Sequence, residues 1–224
     1  MNSRQLATKL GALSFALGGL LYLLAEKVAS RAWTTPPYFF SQNYISDLGI
    51  AQCGVLPDGR DVCSPLHAVM NSGFAAEGVL FFLACLLLRS NFTGAGQKGF
   101  LLTGLLHGIG GVVIALFHSG SEASGFTVHQ AGAIMAIGGG NLCLIIVGGL
   151  LRQQKDLRDY SVLSLMLGCV GLLSMFLIPL NVLPTGIIER ASVYTITFWQ
   201  IFTGVMLLVK TGACEVRGKR LTAR

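Results

Sequence analysis

The stretch "HQAGAIMAIGGGNLCLIIVGGLL", residues 129–151, contains no Asp, Glu, Lys or Arg. An α-helix needs about 20 predominantly apolar residues to cross the hydrocarbon core of a bilayer. A helix that is apolar on every face has to be buried, either in the core of a large protein or in a membrane. This stretch therefore predicts a transmembrane helix, and it sets the fold class.

The composition extends this interpretation to the whole chain. Of 224 residues, 53% are hydrophobic and only 12% are charged, which is about half the charged fraction of an ordinary soluble domain. The apolar residues are grouped into spans, with no soluble domain between them. We predict an all-α, polytopic membrane bundle of six transmembrane helices in a single domain over residues 1–224, with spans at about 8–27, 66–88, 99–119, 129–151, 161–181 and 191–210.

The distribution of Lys and Arg predicts how the spans are oriented. One set of connections holds most of the 16 basic residues, whereas the alternate set holds only Lys27, Arg31, Arg60 and Arg190. Cytoplasmic connections of membrane proteins are enriched in Lys and Arg. We therefore expect a protein of the cytoplasmic (inner) membrane with both termini in the cytoplasm.

The first span could also be interpreted as a cleaved signal peptide, because a basic start precedes its apolar run. We expect a retained helix, since Glu26 and Lys27 stand where the small residues of a cleavage site would begin.

The same charge asymmetry accounts for the net charge of +6. No soluble nucleic-acid-binding module is present in the sequence, so we expect no nucleic-acid partner. The basic C-terminal segment can instead contact anionic lipid headgroups. The expected partners are membrane lipids and a small amphiphilic ligand, and nothing in the sequence fixes the oligomeric state.

The long connection at residues 28–65 lies on the predicted outer side. It contains Cys53 and Cys63, which flank "GVLPDGRDV", and the "PDG" within this segment is a strong turn signal. An oxidising outer compartment favours a disulfide between two cysteines placed in this way. We predict a Cys53–Cys63 disulfide.

The same connection carries "NYISDLG", which begins at Asn43 and includes Ser46 and Asp47. An interfacial loop has no need of an acid at this point, although Ser and Asp also serve as helix caps. We expect the heptapeptide to cover the outer mouth of the bundle, with Asp47 within reach of His67 or His118.

Polar side chains on the second, third and fourth spans fall into an outer and an inner level. The outer level comprises His67, His118 and His129, and the inner level comprises Glu77, His107 and Asn141. An ionisable group at mid-bilayer depth is costly and normally faces a partner inside the bundle. We therefore expect Glu77 to pair with His107, either to hold two helices in register or to relay protons or contact a substrate.

The outer histidines His67, His118 and His129, together with Asp47, are donors that Zn²⁺ accepts. They could also supply general acid and base groups, or be simple polar residues at helix ends. No HExxH or CxxC motif supports a metal, and four histidines at uneven depths do not pair into haem sites. The sequence therefore assigns no cofactor, with zinc possible and haem disfavoured.

Before the sixth span, "GIIERASVY" brings Glu189 and Arg190 to a helix start. They could form a cap and a salt bridge, or they could offer an anion-binding arginine to the outer cavity. Both interpretations stay open at the level of the sequence.

Several of these motifs together resemble a known family. "NYISDLG", "SPLHAVMN", "LHGIGG", "HQAGA" with "GGGN", and "GIIERASVY" are similar to the prokaryotic membrane family catalogued as domain of unknown function 998, over about residues 10–210. The resemblance implies an integral membrane protein of six to seven helices and implies no particular activity. The recurring polar positions of the family are, in this chain, Asn43, Ser46, Asp47, His67, Asn71, His107, Asn141, Glu189 and Arg190.

The leading functional hypothesis is an outward-facing polar cavity that binds a lipid or isoprenoid-type amphiphile. The expected ligand-binding residues are Asn43, Ser46, Asn71, Glu77, His107, Asn141, Glu189 and Arg190. One alternative is a membrane-embedded hydrolase acting on a lipid-like substrate, with the catalytic residues Asp47, His67, His118 and His129. A further alternative is a proton-coupled transporter that uses Glu77 and His107.

Overall fold

A computed structural model describes residues 2–119 and 126–222 of the chain, with side chains described up to residue 212. In this part of the chain, six helices are long and apolar enough to cross a membrane, which confirms the predicted fold class. They are α1 (Ser3–Ala32), α2 (His67–Leu88), α3 (Gly94–Leu116), α4 (Val128–Leu151), α5 (Arg158–Leu177) and α6 (Thr185–Thr222).

The helix ends depart most from the predicted spans in α1 and α6, which are both longer than predicted. Asn2 caps the start of α1 in a reciprocal pair of hydrogen bonds with Gln5, so this helix begins ahead of its apolar part. Helix α6 already begins at Thr185. Consequently Glu189 and Arg190 lie in the first turns of α6 and not in the connection before it.

The six helices form a closed ring in chain order. Each helix packs against the next, α6 packs back against α1, and α4 also touches α6 across the interior. We call the end of the ring that carries residues 33–66 the loop end. The opposite end, where α1 begins and α6 finishes, is called the terminal end.

Glycines allow α3 and α4 to approach each other closely. A Cβ atom on Gly110 would lie 2.3 Å from the main-chain nitrogen of Ala136, and one on Gly139 would lie 2.7 Å from that of His107. No side chain fits at these distances, and small residues commonly permit this kind of helix contact in membranes. This close contact fixes His107 against the backbone of α4.

The connection between α1 and α2 is partly folded into the core at the loop end. A short 3₁₀ helix, Ser46–Gly49, is followed by the antiparallel strands β1 (Gly54–Val55) and β2 (Asp61–Val62). Ile45, just before the 3₁₀ helix, and Leu48, within it, are fully buried in an apolar cluster with residues of α1 and α2. Residues 38–50 of this connection therefore close the loop end of the ring, and we call them the plug.

The β-hairpin is closed by the disulfide that the sequence predicted. Gly54 pairs with Val62 and Val55 with Asp61, and Cys53 is bonded to Cys63 at the base of the hairpin. The structure thus confirms the Cys53–Cys63 disulfide, and the hairpin carries Arg60 towards the plug.

Candidate functional site

The centre of the ring contains the predicted pair of Glu77 on α2 and His107 on α3. The His107 Nε2 atom lies 2.9 Å from both carboxylate oxygens of Glu77. On α6, Gln200 donates a hydrogen bond of 2.7 Å to Glu77 Oε1. All three side chains are buried. The contact that was predicted from depth is present, and its role in ligand binding stays a prediction.

The hydrogen bonds of His107 define how many protons the pair holds. Its Nδ1 atom lies 2.7 Å from the carbonyl oxygen of Ala136, which can only accept, so Nδ1 carries a hydrogen. A single proton is then shared between Nε2 and the Glu77 carboxylate. Imidazolium with carboxylate and imidazole with carboxylic acid are both neutral overall, so neither form leaves an uncompensated charge inside the bundle.

A cavity of about 60 Å³ lies directly against this pair. We call it the chamber. Its polar lining on the loop side comes from Ser46, His129 and Glu189, whereas apolar residues of the surrounding helices form most of the remaining wall. The chamber therefore has the pair at its deep side and the plug at its outer side.

A larger cavity of about 250 Å³ lies between the chamber and the surface of the loop end. We call it the vestibule, and Tyr44, Asp58, Arg60 and Gln130 are in its wall. Both volumes are lined by Ser46, His129, Ala133, Ile137 and Glu189. These common residues form the boundary between the two cavities, which we call the neck, so the vestibule lies within one layer of side chains of the chamber and its Glu77–His107 pair.

Glu189 attaches the plug to α6. Its carboxylate accepts the main-chain N–H of Ile45, and it also accepts the N–H of Ser46 at 3.4 Å. Free N–H groups at the start of a helix favour a negatively charged partner. Because Glu189 also lines the neck, it holds the plug and contributes to the wall of the cavity at the same time.

Arg190 is engaged with α1 and with the plug. It donates to Glu26 Oε1 through Nε at 3.1 Å and through Nη2 at 2.9 Å. Nη2 also donates to the hydroxyl of Tyr38 at 2.6 Å. Its remaining acceptors are the carbonyl oxygens of Phe40, Asn43 and Gly186. These partners occupy the guanidinium group, so the geometry favours the ion-pair interpretation over an anion-binding one.

Asp47 is completely buried beneath the hairpin. Its carboxylate accepts from Arg60 and, at 3.0 Å, from the main-chain N–H of Tyr44. Burial raises the pKa of the Asp47 carboxyl, and Arg60 and the Tyr44 N–H act in the opposite direction. Within the described residues no hydrogen bond joins Asp47 to His67 or His118, so the expected contact is not observed.

The charged partner of Asp47 is the hairpin residue Arg60, where the sequence predicted a histidine. Its Nε atom also donates to Asp58 Oδ2 at 2.7 Å, and its guanidinium lies 4.8 Å above the Tyr44 ring centre. Arg60 thereby joins two carboxylates and an aromatic ring at the wall of the vestibule.

The three outer histidines are each hydrogen-bonded to a main-chain carbonyl. The partners are Ser64 for His67 at 3.2 Å, Ser119 for His118 at 3.0 Å and Phe117 for His129 at 2.8 Å. Over residues 2–119 and 126–212 no group of three or more His, Cys, Asp and Glu side chains is arranged to hold a metal ion. The candidate zinc ligands, and the proposed catalytic set with Asp47, are thus not brought together there, and of these four only His129 lines the chamber.

The predicted asparagines hold the framework around the two cavities. Asn141 donates to the carbonyls of Ile137 and Ser192, both at 2.9 Å, and thereby links α4 to α6. Asn71 donates to the carbonyl of Gly49 in the plug at 2.9 Å. Asn43 accepts the N–H of Phe39 at 2.9 Å in the preceding turn. Of the eight residues predicted to bind a ligand, the chamber is lined by Ser46, Glu77, His107 and Glu189.

Three important residues were not predicted from the sequence. From the sequence, Glu26 serves here only as an argument against cleavage, although an acid near the end of a span also indicates an ion pair. Gln200 carried the signal of an amide inside a span, and its Oε1 atom has no hydrogen-bond partner in the described part of the chain. Arg60 gave no signal, because its position depends on the register of a short hairpin.

Comparisons with known proteins identify a family without a known activity. Neither a search of curated proteins nor a search of solved structures gave a significant match. The model of the family described as "Protein of unknown function (DUF998)" matches residues 16–206. Because this match covers most of the chain, and the six apolar helices agree with a membrane protein, the protein belongs to the DUF998 family.

Proposed function

We propose that this membrane protein binds the polar group of an amphiphilic ligand, of the lipid or isoprenoid class, in the vestibule and chamber. The observation that carries the proposal is that the vestibule and the chamber share the residues of the neck. The proposed path of the ligand runs from the loop-end surface through the neck to the Glu77–His107 pair.

The dimensions of the path suit a ligand that enters by one end. The chamber, at about 60 Å³, accommodates only a few atoms, whereas the vestibule measures about 250 Å³. Sites that enclose a whole drug-sized molecule measure about 300–1,000 Å³. A small polar group therefore fits the chamber, and the remainder of the ligand lies in the vestibule or beyond it.

The charges along the path favour an uncharged polar group. Arg60 is paired with Asp47 and Asp58, and Glu189 adds a further carboxyl group at the neck. The Glu77–His107 pair is neutral and can both donate and accept a hydrogen bond. A hydroxyl or amide group satisfies such a pair, whereas a phosphate would meet more acidic than basic groups on its way in.

The proposal is tested by closing the neck. Ala133 lies at the junction of the two volumes, so Ala133→Trp fills the path. Val170→Trp places the same side chain on the exposed face of α5, where Val170 is 50% accessible, and serves as the matched control. The measurement is native mass spectrometry of the purified protein, followed by identification of its copurified amphiphiles against the bulk membrane extract.

We expect wild type and Val170→Trp to retain one enriched uncharged amphiphile, and Ala133→Trp to lose it. Identical copurified species in all three proteins, or no enrichment in wild type, would overturn the proposal. Circular dichroism and the unfolding temperature of each variant separate loss of ligand from loss of fold.

Proton-coupled transport is a second candidate, favoured by the single proton that His107 and Glu77 share at the deep side of the path. In proteoliposomes containing a trapped pH-sensitive dye, wild type would then carry protons when a pH gradient is imposed. Glu77→Gln should abolish this flux while the protein stays folded. Equal flux in wild type and Glu77→Gln would remove this candidate. The hydrolase alternative gains no support from the geometry, since its four predicted catalytic side chains are not assembled within the described residues.

A further inference from the structure

A separate cavity of about 310 Å³ lies inside the ring at the terminal end. All six helices contribute to its wall, through residues that include Thr8, Leu88, Phe100, Val147, Tyr160 and Trp199. We call it the terminal cavity. Its volume is within the usual range for sites that bind small molecules, and it is larger than either volume at the loop end.

A packed layer separates the terminal cavity from the chamber. On α3 the chamber is lined by His107 and the terminal cavity by Phe100, which are roughly 10 Å apart along a helix. The buried residues Phe81, Cys143 and Leu144 belong to the apolar cluster at this level. The occupant of the terminal cavity is therefore a question independent of the proposed loop-end function.

The wall of the terminal cavity changes from apolar to polar along its length. Phe15, Phe100 and Trp199 are buried apolar residues of the wall. Asn91, Gln154 and Lys210 belong to the connections and to the later part of α6, where the ring meets its surroundings, and they also line the cavity. An apolar interior with a polar rim matches an acyl chain whose headgroup stays at the rim.

The charge of the terminal end selects the headgroup. The basic residues there with described side chains are Arg4, Lys9, Arg89, Lys98, Arg152, Lys155, Arg158 and Lys210, against the acids Asp156 and Asp159. Basic residues at a membrane surface attract anionic lipids, by about a factor of five for each Lys or Arg. Lys210 is the basic residue that lines the cavity itself.

We propose that the terminal cavity binds an acyl chain of an anionic glycerophospholipid, with the headgroup at Lys210. The lipid fills space between all six helices, so it acts as a bound component of the bundle and not as bulk solvent. The same cavity disfavours a zwitterionic lipid, whose headgroup carries no net charge to pair with the basic rim.

Trp199 provides a direct readout, because it lines the cavity and is only 1% exposed. Trp33→Phe leaves Trp199 as the single tryptophan of the chain. In vesicles of unlabelled phosphatidylcholine, a small fraction of lipid with brominated acyl chains is introduced, either as phosphatidylglycerol or as phosphatidylcholine. Bromine quenches tryptophan fluorescence only at short range, so quenching reports a brominated chain inside the cavity.

We expect saturable quenching by brominated phosphatidylglycerol, with brominated phosphatidylcholine needed at a several-fold higher fraction. Lys210→Gln should reduce this preference about five-fold. Lys98→Gln makes the same charge change at the terminal end but outside the cavity wall, and it should reduce the preference for phosphatidylglycerol by a smaller factor. The bulk-lipid reporter is Phe198→Trp in a chain with Trp33→Phe and Trp199→Phe, because the Phe198 side chain is 53% exposed.

Three results would overturn the proposal. Equal quenching by the two lipids shows that the cavity does not select an anionic headgroup. If quenching of Trp199 depends on the brominated-lipid fraction in the same way as quenching of the bulk-lipid reporter, no acyl chain occupies the cavity. Equal effects of Lys210→Gln and Lys98→Gln remove Lys210 as the headgroup contact. None of these results bears on the ligand of the chamber, so failure here is distinct from failure of the proposed function.

Discussion

Glu77 and His107 form a pair inside the ring because neither side chain can be left alone in an apolar interior at low cost. The structure places them 2.9 Å apart and adds Gln200 as a third member. The depth of a residue in its span does not predict which amide contacts the pair, because an uncharged Gln can also donate to a main-chain carbonyl.

The Glu77–His107 contact predicts strong energetic coupling. Glu77→Gln and His107→Gln should each lower the free energy of unfolding, and the double variant should lose less than their sum by about 1–3 kcal/mol. The measurement is a double-mutant cycle from denaturant unfolding in detergent micelles. The control combines Glu77→Gln with Tyr160→Phe, which removes a hydroxyl that is hydrogen-bonded to Thr203. The losses of unfolding free energy of these two substitutions should be additive. Additivity of the Glu77 and His107 substitutions would contradict the shared-proton description.

Arg190 is expected to matter more for the plug than for a ligand. Arg190→Met leaves the buried Glu26 carboxylate without its ion pair, which typically costs about 3–5 kcal/mol. The matched control is Arg31→Met, at the same end of the ring on an exposed part of α1, with an expected change below about 1 kcal/mol. Unfolding in detergent and the rate of proteolysis within residues 33–66 measure both effects. If Arg190→Met keeps wild-type stability but loses copurified ligand, the anion-binding interpretation is correct instead.

Residues held by a loop were the least predictable. Asp47 was expected near His67 or His118 because charged imidazoles stabilise a carboxylate. Arg60 occupies this position as the partner of Asp47, and a guanidinium that stays charged is the better match. Nothing in the sequence fixes which side of a short hairpin faces the bundle, so the choice between these partners needed the structure.

At the scale of elements, the hydropathy of the chain located every span but not every end. Apolar runs mark the part of a helix that lies in lipid, whereas caps and tertiary contacts decide where it begins and finishes. Thus Thr127 and Gln130 cap α4 in a reciprocal pair, close to the predicted start, while α6 extends beyond its predicted span at both ends. The early start of α6 matters for the plug, because the helix directs Glu189 towards Ile45 and Arg190 towards Glu26.

The contact between α3 and α4 predicts a strict requirement for glycine. In Gly110→Ala the new Cβ atom would lie 2.3 Å from the nitrogen of Ala136 and 2.6 Å from the carbonyl oxygen of Gly132. Both neighbours are backbone atoms, so the helices must separate, at a cost of about 1–3 kcal/mol or more. Gly149→Ala, on α4 with nothing within 4 Å of its Cβ position, is the control and should be neutral or slightly stabilising. Unfolding temperatures in detergent compare the two, and equal temperatures would refute the close packing.

At the scale of the whole molecule, the closed ring could not be predicted from the sequence. Helices that are apolar on every face do not indicate which face meets a neighbour, so the packing of α6 against α1 had no sequence signal. Closure of the ring nevertheless creates the interior of the molecule. The plug and the chamber lie towards the loop end, and the terminal cavity lies at the terminal end. The charged residues are divided in the same way, with paired carboxylates at the loop end and an excess of Lys and Arg at the terminal end.

This division predicts the orientation of the molecule in its membrane. Basic residues favour the cytoplasmic side, and a disulfide such as Cys53–Cys63 persists in an oxidising compartment, so two arguments predict that the loop end lies outside. The test uses a chain in which Cys85, Cys143, Cys169 and Cys214 are changed to Ala, with a single new cysteine at exposed Ser41 or at exposed Gln153. The experiment uses cells whose cell wall and any outer membrane have been removed but whose cytoplasmic membrane is intact. A membrane-impermeant maleimide should label Ser41→Cys in these cells, whereas Gln153→Cys should react only after the cytoplasmic membrane is permeabilised. The reverse pattern would place the vestibule in the cytoplasm, and any ligand would then have to be sought among cytoplasmic amphiphiles.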